Sequence, residues 1–350
     1  MVQKSIFRFL LFLFIGLLSG SCKQEAKQGT FRHFPAEYSL HPKFIELDEI
    51  YIGGSVMIYD TLYFLTNTPN DTFQIHIYNQ NFNYLGSGGM VGRGPGEIIN
   101  PFMTRIDQQE GVLWFADMGR QELLKFPVDT LVKNPQFLPW ESVPVPEDIW
   151  FITLYDPLPD NLFRFADYQS PDDLLSFFNK DGERIDSIRI TRNPDLLNLK
   201  SRYEQDVIPT FSYEFHPEKD IFALAYVYSD ILVILDSKGE IIQMVQGPDE
   251  INQVPDVRDE NRIWCYSQMQ VDERYIYLLY RGKPIIDAQQ NLNIPNQIFV
   301  FDWNAQPVAS LLLDHPISRF TLDKVNRKFI SLSIETGDIV IYDIPEELYY

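Results

Sequence analysis

The sequence of 350 residues predicts an all-β protein, a six-bladed β-propeller in which each blade is a four-stranded antiparallel sheet. Three observations support this prediction. Aromatic residues make up 14% of the chain, and aromatic side chains favour strands. Short apolar segments separated by turns recur six times at intervals of about 50 residues, which is typical of propeller blades. Apart from residues 195–205, no segment shows a sustained helical period.

The repeat is clearest in one apolar strand of each unit, which is followed by a turn and a further strand. These six strands are predicted at Phe73–Tyr78, Glu122–Phe126, Leu174–Phe178, Ile231–Leu235, Gln297–Phe301 and Asp338–Tyr342. Two of the following turns, residues 179–182 and 236–239, end in Gly, at a position where a hairpin turn needs a positive φ. One such strand in each blade predicts six blades.

The sixth repeat is too short to complete its blade. Only residues 344–350 follow the turn residue Asp343, which leaves little room for a fourth strand. An incomplete blade would expose an unpaired strand edge, and such edges promote association with other chains. We therefore expect Lys43–Leu47 to supply the missing outer strand, so that an N-terminal strand closes the last blade.

Residues 1–22 have the pattern of a secretory signal. Lys4 and Arg8 accompany an apolar run at residues 9–18, which is too short to span a bilayer as a stable helix. The segment ends in Ser-Gly-Ser-Cys22, which resembles a bacterial lipobox, in which the cysteine is acylated and becomes the new N-terminus. An ordinary signal peptide that is cut by another peptidase is the alternative.

The chain is therefore predicted to have three parts: a lipoprotein signal peptide at 1–22, a polar tether at 23–42 and a single propeller domain at 43–350. A lipid on Cys22 would place the protein in the bacterial cell envelope, at the outer membrane, facing the periplasm or the cell surface. The other cysteine, Cys265, would then have no partner for an intrachain disulfide. Its apolar, strand-like surroundings predict a buried and inert thiol.

The net charge of −20 argues against nucleic acid as a partner, because so acidic a chain repels phosphate backbones and also anionic lipid surfaces. The pattern of histidines and cysteines contains no spacing typical of a zinc site, and the chain has no serine-hydrolase elbow or calcium-binding loop. The sequence thus predicts no metal, no cofactor and no catalytic residue.

The long connecting segments are predicted to lie on one face. With strands labelled A (innermost) to D (outermost), the B–C and D–A connections of a propeller lie on one face, and the A–B and C–D turns lie on the other. We assign every long segment to the first group. These segments are Val91–Pro101, Val132–Trp150, Thr191–Thr210, Gly247–Arg262 and Arg281–Asn296. Loops on a rigid scaffold commonly carry recognition, so this loop-rich face is the expected binding surface.

Residues 94–126 resemble one repeat of a known propeller type. The segments Gly94-Pro-Gly-Glu97, Val112–Asp117 and Leu123–Phe126 look like an NHL repeat. The longer string at 92–97 is similar to a signature of secreted, six-bladed, TolB-like propeller lipoproteins, most of which have no assigned activity. The resemblance implies the same fold and export to the envelope. The other five blades agree with the repeat in periodicity only.

Polar residues occur in five predicted inner strands, where apolar residues are more usual. These residues are Arg105, Thr153, Glu214, Gln268 and Arg319. Charges on a dry axis would be costly, so the sequence predicts a channel that is wet or in which the charges are paired. One explanation is a structural network of buried ion pairs and waters. The other is a polar binding pocket at the channel mouth, which Arg93, Glu97 and Arg120 would join.

These features favour a lipid-anchored binding or scaffolding module that is not an enzyme and whose partner is a protein or a small polar ligand. Two alternatives stay open at this point. One is a metal-dependent propeller lyase or lactonase that acts at the channel mouth, with ligands contributed by several inner strands. The other is an accessory subunit of an outer-membrane uptake or sensing assembly, with a protein partner on the loop-rich face.

Overall fold

The computed structural model is a ring of sheets. It describes residues 27–48, 51, 54–66, 72–134, 139, 141–147, 149, 154–166, 173–189, 211–252, 259–286 and 296–349. The features predicted at Cys22, Thr153 and residues 195–205 lie outside these ranges. In the described part of the chain, no helix has the length and apolar character that crossing a membrane requires.

Three short strands precede the first blade. They are β1 (Lys27–Thr30), β2 (Ala36–Leu40) and β3 (Lys43–Ile45). The first three blades follow in chain order, each with its A strand innermost. Blade 1 contains β4 (Ser55–Tyr59), β5 (Leu62–Thr66), β6 (Phe73–Asn79) and β7 (Tyr84–Met90). Blade 2 contains β8 (Pro101–Asp107), β9 (Val112–Asp117), β10 (Glu122–Pro127) and β11 (Glu141–Pro144). Blade 3 contains β12 (Tyr155–Leu158), β13 (Leu162–Ala166), β14 (Asp173–Asn179) and β15 (Arg184–Arg189).

The remaining strands form three further blades. Blade 4 contains β16 (Phe211–His216), β17 (Ile221–Tyr226), β18 (Ile231–Asp236) and β19 (Ile241–Gln246). Blade 5 contains β20 (Ile263–Val271), β21 (Tyr275–Pro284), β22 (Asn296–Asp302) and β23 (Pro307–Leu313). Blade 6 contains β24 (Thr321–Asp323), β25 (Lys328–Leu332) and β26 (Ile339–Asp343). The prediction of six blades is confirmed, and the six repeated strands correspond to β6, β10, β14, β18, β22 and β26.

The last blade is closed by the N-terminal segment, as predicted. Strand β3 pairs antiparallel with β26, with Lys43 opposite Ile341 and Ile45 opposite Ile339. It occupies the D position, so blade 6 has four strands that come from opposite ends of the chain. This pairing satisfies an edge that the C-terminal residues do not cover.

The part of the predicted tether that the structure describes is folded onto the ring. Strand β1 pairs in parallel with β19, and β2 pairs in parallel with β23, so blades 4 and 5 each have five strands. Phe31 and Phe34, between β1 and β2, pack against the cluster between these blades. The structure therefore differs from a free tether up to residue 42, because backbone pairing and two phenylalanines attach residues 27–40 to the domain.

The hydrophobic core is divided among the gaps between neighbouring blades. The described residues form six clusters of buried apolar side chains, and each cluster joins two adjacent sheets. Strand β9 shows how this arises, since all its residues are buried. Val112, Trp114 and Ala116 point into the gap with blade 3, and Leu113 and Phe115 point into the gap with blade 1. Alternation along a strand thus supplies two cores at once.

Cys265 lies in the cluster between blades 4 and 5 and is fully buried. It is a free thiol, and burial raises its pKa above the ordinary value. This agrees with the inert thiol that the sequence predicts.

Most long connections leave the ring on the loop-rich face, but one does not. The residues that join β10 to β11 are 128–140, and they include a short helix, α1 (Val128–Lys133). This is a C–D connection and belongs to the opposite face, which we call the turn face. The assignment of Val132–Trp150 to the loop-rich face was therefore wrong for its first part. Residues 141–144 form an outer strand despite Pro144, since edge strands tolerate proline.

Candidate functional site

The inner strands surround a polar cavity on the axis of the ring. Its volume of about 490 Å³ is in the range of small-molecule sites. The lining extends from Thr66 and Ser318, next to the loop-rich face, to Gln108 and Lys324 on the turn face. Four residues predicted from the sequence contribute to this lining. They are Arg105, Glu214, Gln268 and Arg319.

Gln268 connects two neighbouring inner strands. Its Nε2 donates to the carbonyl oxygen of Phe320 at 2.9 Å, and its Oε1 accepts from the amide of Phe320 at 2.7 Å. The next side chain on the same face of β20, Gln270, accepts from the amide of Leu322 at 3.5 Å. These amides join blade 5 to blade 6, so Gln268 has a structural role in the wall of the cavity.

Arg105 connects blade 2 to blade 3, because its Nε donates to the carbonyl oxygen of Tyr155 at 3.3 Å. Burial alone would lower the pKa of Arg105. The nearby carboxylates of Glu214 and Asp156 outweigh burial and hold the pKa above its ordinary value. Arg105 is therefore a permanent cation whose charge is balanced by neighbouring strands.

Behind this wall lies an ion pair that the sequence did not reveal. Arg164 donates from Nε and Nη2 to Asp156 Oδ2 at 3.2 Å and 2.8 Å. Its guanidinium lies 5.0 Å from the ring centre of Phe215 and 4.8 Å from that of Phe222. The two charged residues face each other across β12 and β13. Their pairing depends on the register of a hairpin whose strands are too short to be placed from sequence.

Glu214 is the carboxylate that lines the cavity. Burial raises its pKa from 4.5 to about 7, and Asp156 raises it further, whereas Arg105, Arg164 and Lys324 oppose the increase. The side chain is thus divided between its protonated and ionised forms near neutral pH. The charge of the cavity consequently depends on pH in the physiological range.

The raised pKa of Glu214 predicts a pH-dependent stability. The folded state holds the Glu214 proton more tightly than the unfolded state, so the contribution of Glu214 to stability is greatest below pH 4.5 and is lost as pH rises to about 7. We expect the free energy of unfolding contributed by Glu214 to change by on the order of 2 kcal/mol over this pH range, after screening by water in the cavity. Urea denaturation between pH 5 and 8 should give a flatter profile for Glu214→Gln than for the wild type. The exposed Glu218→Gln is the control, and an unchanged slope in Glu214→Gln would contradict the assignment.

Arg319 differs from the other charged residues of the cavity. It precedes β24, and its side chain contributes to the cavity lining. Within the described ranges, its guanidinium has neither a hydrogen-bond acceptor nor an ion-pair partner. Burial lowers its pKa, and no carboxylate offsets this effect. Arg319 remains charged at neutral pH because arginine titrates so high, so it offers the cavity an uncompensated cation with several free donors.

The second predicted group, Arg93, Glu97 and Arg120, does not reach this cavity. Glu97 Oε2 accepts from the amide of Gly94 at 2.6 Å, and Arg120 donates to the carbonyl oxygens of Glu97 and Gly94 at 3.1 Å and 2.6 Å. Arg93 is exposed on the same connection. A Cβ at Gly92 would lie 2.0 Å from Glu97 Oε2, so a side chain there would displace the carboxylate that binds the Gly94 amide. These hydrogen bonds hold the connection between blades 1 and 2 in one conformation, so Glu97 and Arg120 have a structural role.

Asp117, the last residue of β9, also binds the connection between blades 1 and 2. Its carboxylate is fully buried and accepts from the amides of Ile99, Asn100 and Gly119 at 2.8 Å, 3.0 Å and 2.9 Å. Arg120 Nε lies 3.6 Å from the same carboxylate. The sequence contains part of the signal, since Asp117 directly precedes the Met-Gly-Arg turn and binds the amide of Gly119, but the amides of Ile99 and Asn100 lie 18 and 17 residues away.

We expect Asp117→Asn to destabilise the protein by about 2–4 kcal/mol, because an amide nitrogen cannot accept from buried N–H groups. Asp107→Asn is the matched control, since Asp107 binds only the amides of its own exposed turn and asparagine performs that role equally well. Urea denaturation of the two variants measures the difference. Equal stability of the two variants would contradict the role of Asp117.

Metal-binding side chains do not converge in the described residues, where no group of three or more His, Cys, Asp or Glu is placed to hold an ion. The polar residues that line the cavity are instead Arg, Lys, Gln, Ser and Thr, with Glu214 as its carboxylate. That donor set suits hydrogen bonding to a polar molecule better than coordination of a cation.

The ring of six sheets around a polar axial cavity defines a six-bladed β-propeller. The chain belongs to the family described as TolB-like 6-blade propeller-like, whose model matches residues 40–325. No curated protein matches the chain.

Several solved structures share the fold. A Bacteroides fragilis protein that is described as exported aligns with a TM-score of 0.59 at 12% identity, over 90% of this chain and 99% of its own. A DUF4221 member from Bacteroides vulgatus gives a TM-score of 0.58 at 11% identity, over 89% and 97%. A streptogramin B lyase gives 0.51 at 10% identity, over 87% and 98%. At these identities the similarity concerns the fold alone.

Proposed function

We propose that the protein is a lipid-anchored envelope propeller that binds a small anionic, hydrogen-bonding molecule in its central cavity and does not transform it. The observation that carries this proposal is Arg319, which lines a polar cavity of about 490 Å³ and whose guanidinium has no carboxylate partner among the described residues. A ligand carboxylate or phosphate would supply the missing countercharge, and arginine binds both in a bidentate manner.

The surrounding charges support an anion over a cation. Lys324 also lines the cavity, and its ion pair with Glu273 is long, 3.9 Å, and solvent-exposed. Arg105 is balanced by Glu214 and Asp156. The cavity therefore has an excess of positive charge inside a chain with a net charge of −20, and such a local reversal favours an anionic ligand.

Ligand binding is tested by native mass spectrometry of the purified protein and by thermal unfolding with glucuronate, citrate and inorganic phosphate. Glucose is the neutral control, because it differs from glucuronate in the group that would contact Arg319. We expect an anion, and not glucose, to raise the unfolding temperature. Absence of any anion effect, together with absence of a co-purified anion, would overturn the proposal.

The lipid anchor has a separate test. The wild-type protein, expressed with its own signal in a bacterial host, is expected to incorporate an alkyne-labelled fatty acid and to sediment with membranes. Cys22→Ser is expected to lose both properties, whereas Ser21→Ala, which keeps a small residue before the cysteine, should retain them. Equal labelling of the wild type and Cys22→Ser would exclude acylation of Cys22.

The envelope location also receives support from the relatives. The family and the sequence features agree with export, and one structural neighbour is described as exported. The described residues supply no group of metal ligands in favour of the lyase alternative.

A further inference from the structure

We propose that the central cavity takes a ligand with an acid group at each end, one bound by Arg319 and the other by Lys324. This proposal rests on the proposed anion binding at Arg319, and it names the class of that anion. The observation behind it is that two cationic side chains, besides the balanced Arg105, line one cavity at different depths.

Arg319 and Lys324 belong to the inner segment of blade 6, which runs from the loop-rich face to the turn face. The segment is extended along β25, because Thr321 pairs with Ile330 and Ser331 Oγ donates to the carbonyl oxygen of Arg319. Five residues of extended chain place the Cα atoms of Arg319 and Lys324 about 16 Å apart. The two cations therefore lie toward opposite ends of the cavity.

This separation determines what kind of anion can use both cations. A single carboxylate could contact the guanidinium of Arg319 and the ammonium of Lys324 together only if both side chains extended almost fully toward each other. A ligand with acid groups at its two ends can contact both without that constraint. The cavity volume of about 490 Å³ is ample for a small acid of this kind.

Lys324 is available to a ligand because its partner in the structure holds it weakly. Its Nζ lies 3.9 Å from Glu273 Oε1, and the two side chains are 51% and 73% exposed. Exposed ion pairs at such a distance contribute little to stability, so an acid group of a ligand can replace Glu273. The charge of Lys324 also acts inside the cavity, since it opposes the increase in the pKa of Glu214.

The test compares open-chain sugar acids that differ at one end. Gluconate has one carboxylate, glucarate has a carboxylate at each end, and 6-phosphogluconate has a phosphate as its second acid group. Isothermal titration calorimetry at pH 6 and low salt measures the affinity of each acid. Glu214 is mostly protonated at that pH, because its pKa is about 7, so its charge interferes little.

We expect at least one diacid to bind the wild type about fivefold more tightly than gluconate, a modest factor because solvent screens the half-exposed Lys324. Lys324→Gln should lose this advantage, and Lys324→Arg should keep it. Glu273→Gln should increase it, because the competing carboxylate is removed. The diacid with the larger advantage identifies the second acid group as a carboxylate or a phosphate.

Lys219→Gln is the matched control, since Lys219 is exposed in the turn between β16 and β17 and does not line the cavity. It should retain the advantage of the diacid. Equal affinity for gluconate and both diacids, or an advantage that persists in Lys324→Gln, would overturn the two-ended ligand and leave anion binding at Arg319 intact. Absence of binding by all three acids and by glucuronate would overturn the anion site itself.

Discussion

Removal of residues 27–47 is expected to unfold the propeller, whereas removal of residues 1–26 alone is expected to leave it fully stable. The comparison uses two chains, 27–350 and 48–350. The longer one keeps β1, β2 and β3, and the shorter one loses all three. The shorter chain would expose the edges of β19, β23 and β26 together, and unpaired edges promote aggregation.

The expected loss is large because the N-terminal segment also covers apolar surface. The ring of Phe31 lies 5.6 Å from that of Phe301, and the ring of Phe34 lies 4.6 Å from that of Phe299. Leu40 is buried in the cluster between blades 5 and 6. Ile45 and Leu47 pack against the cluster between blades 6 and 1. Four of these five side chains are only partly buried, so about 1–2 kcal/mol for each gives a sum on the order of 5–10 kcal/mol, comparable with the whole stability of a domain.

A third chain, 43–350, separates closure of the ring from the two added strands. It keeps β3 but lacks β1 and β2. We expect it to fold with a lower unfolding temperature than 27–350. If 43–350 were as stable as 27–350, residues 27–42 would act as a tether, as the sequence suggested. If 48–350 were as stable as both, β3 would not close the ring.

The propeller could be predicted because its repeated strands are buried between two neighbouring sheets. Such strands are continuous apolar runs that recur at one interval, and the six correspond to β6, β10, β14, β18, β22 and β26. Closure by β3 followed from a shortage of chain after Asp343. Both inferences depend on local sequence and on counting, and neither needs knowledge of distant contacts.

Strands β1 and β11 were not predicted from the sequence, because their local sequence patterns are weak. Strand β1 has the sequence Lys-Gln-Gly-Thr, and backbone hydrogen bonds to β19 hold it without an apolar face of its own. Strand β11 contains Pro144, which reads as a loop unless its position on an edge is known. In both cases the partner strand, and not the segment itself, determines the structure.

In the candidate site, too, the local sequence indicates some features and distant partners determine the others. Polar residues in five predicted inner strands pointed to the axis, and four of them line the cavity: Arg105, Glu214, Gln268 and Arg319. Which of them is free to bind depends on partners far away in sequence. Gln268 is engaged by the backbone of Phe320, and only the folded structure distinguishes it from Arg319.

Arg319→Gln is expected to weaken binding of glucuronate by about tenfold to a hundredfold, since a charge-assisted hydrogen bond contributes about 1.5–3 kcal/mol. Arg319→Lys should restore part of the affinity, because it keeps the charge but loses the fork of donors. Arg93→Gln is the matched control, as Arg93 is an exposed arginine outside the cavity. Isothermal titration calorimetry measures all four proteins. Unchanged affinity in Arg319→Gln would remove the central support for an anion site.

The pH dependence of binding distinguishes a cavity site from adventitious surface binding. Glu214 shares the cavity with Arg319, and its pKa of about 7 means that it becomes ionised as pH rises through neutrality. Ionised Glu214 repels an anion and competes for Arg105, so affinity for glucuronate should fall between pH 6 and 8. Glu214→Gln should bind more tightly at pH 8 and show little pH dependence. An anion on the outer surface would be insensitive to Glu214, so equal pH profiles for the wild type and Glu214→Gln would place the ligand elsewhere.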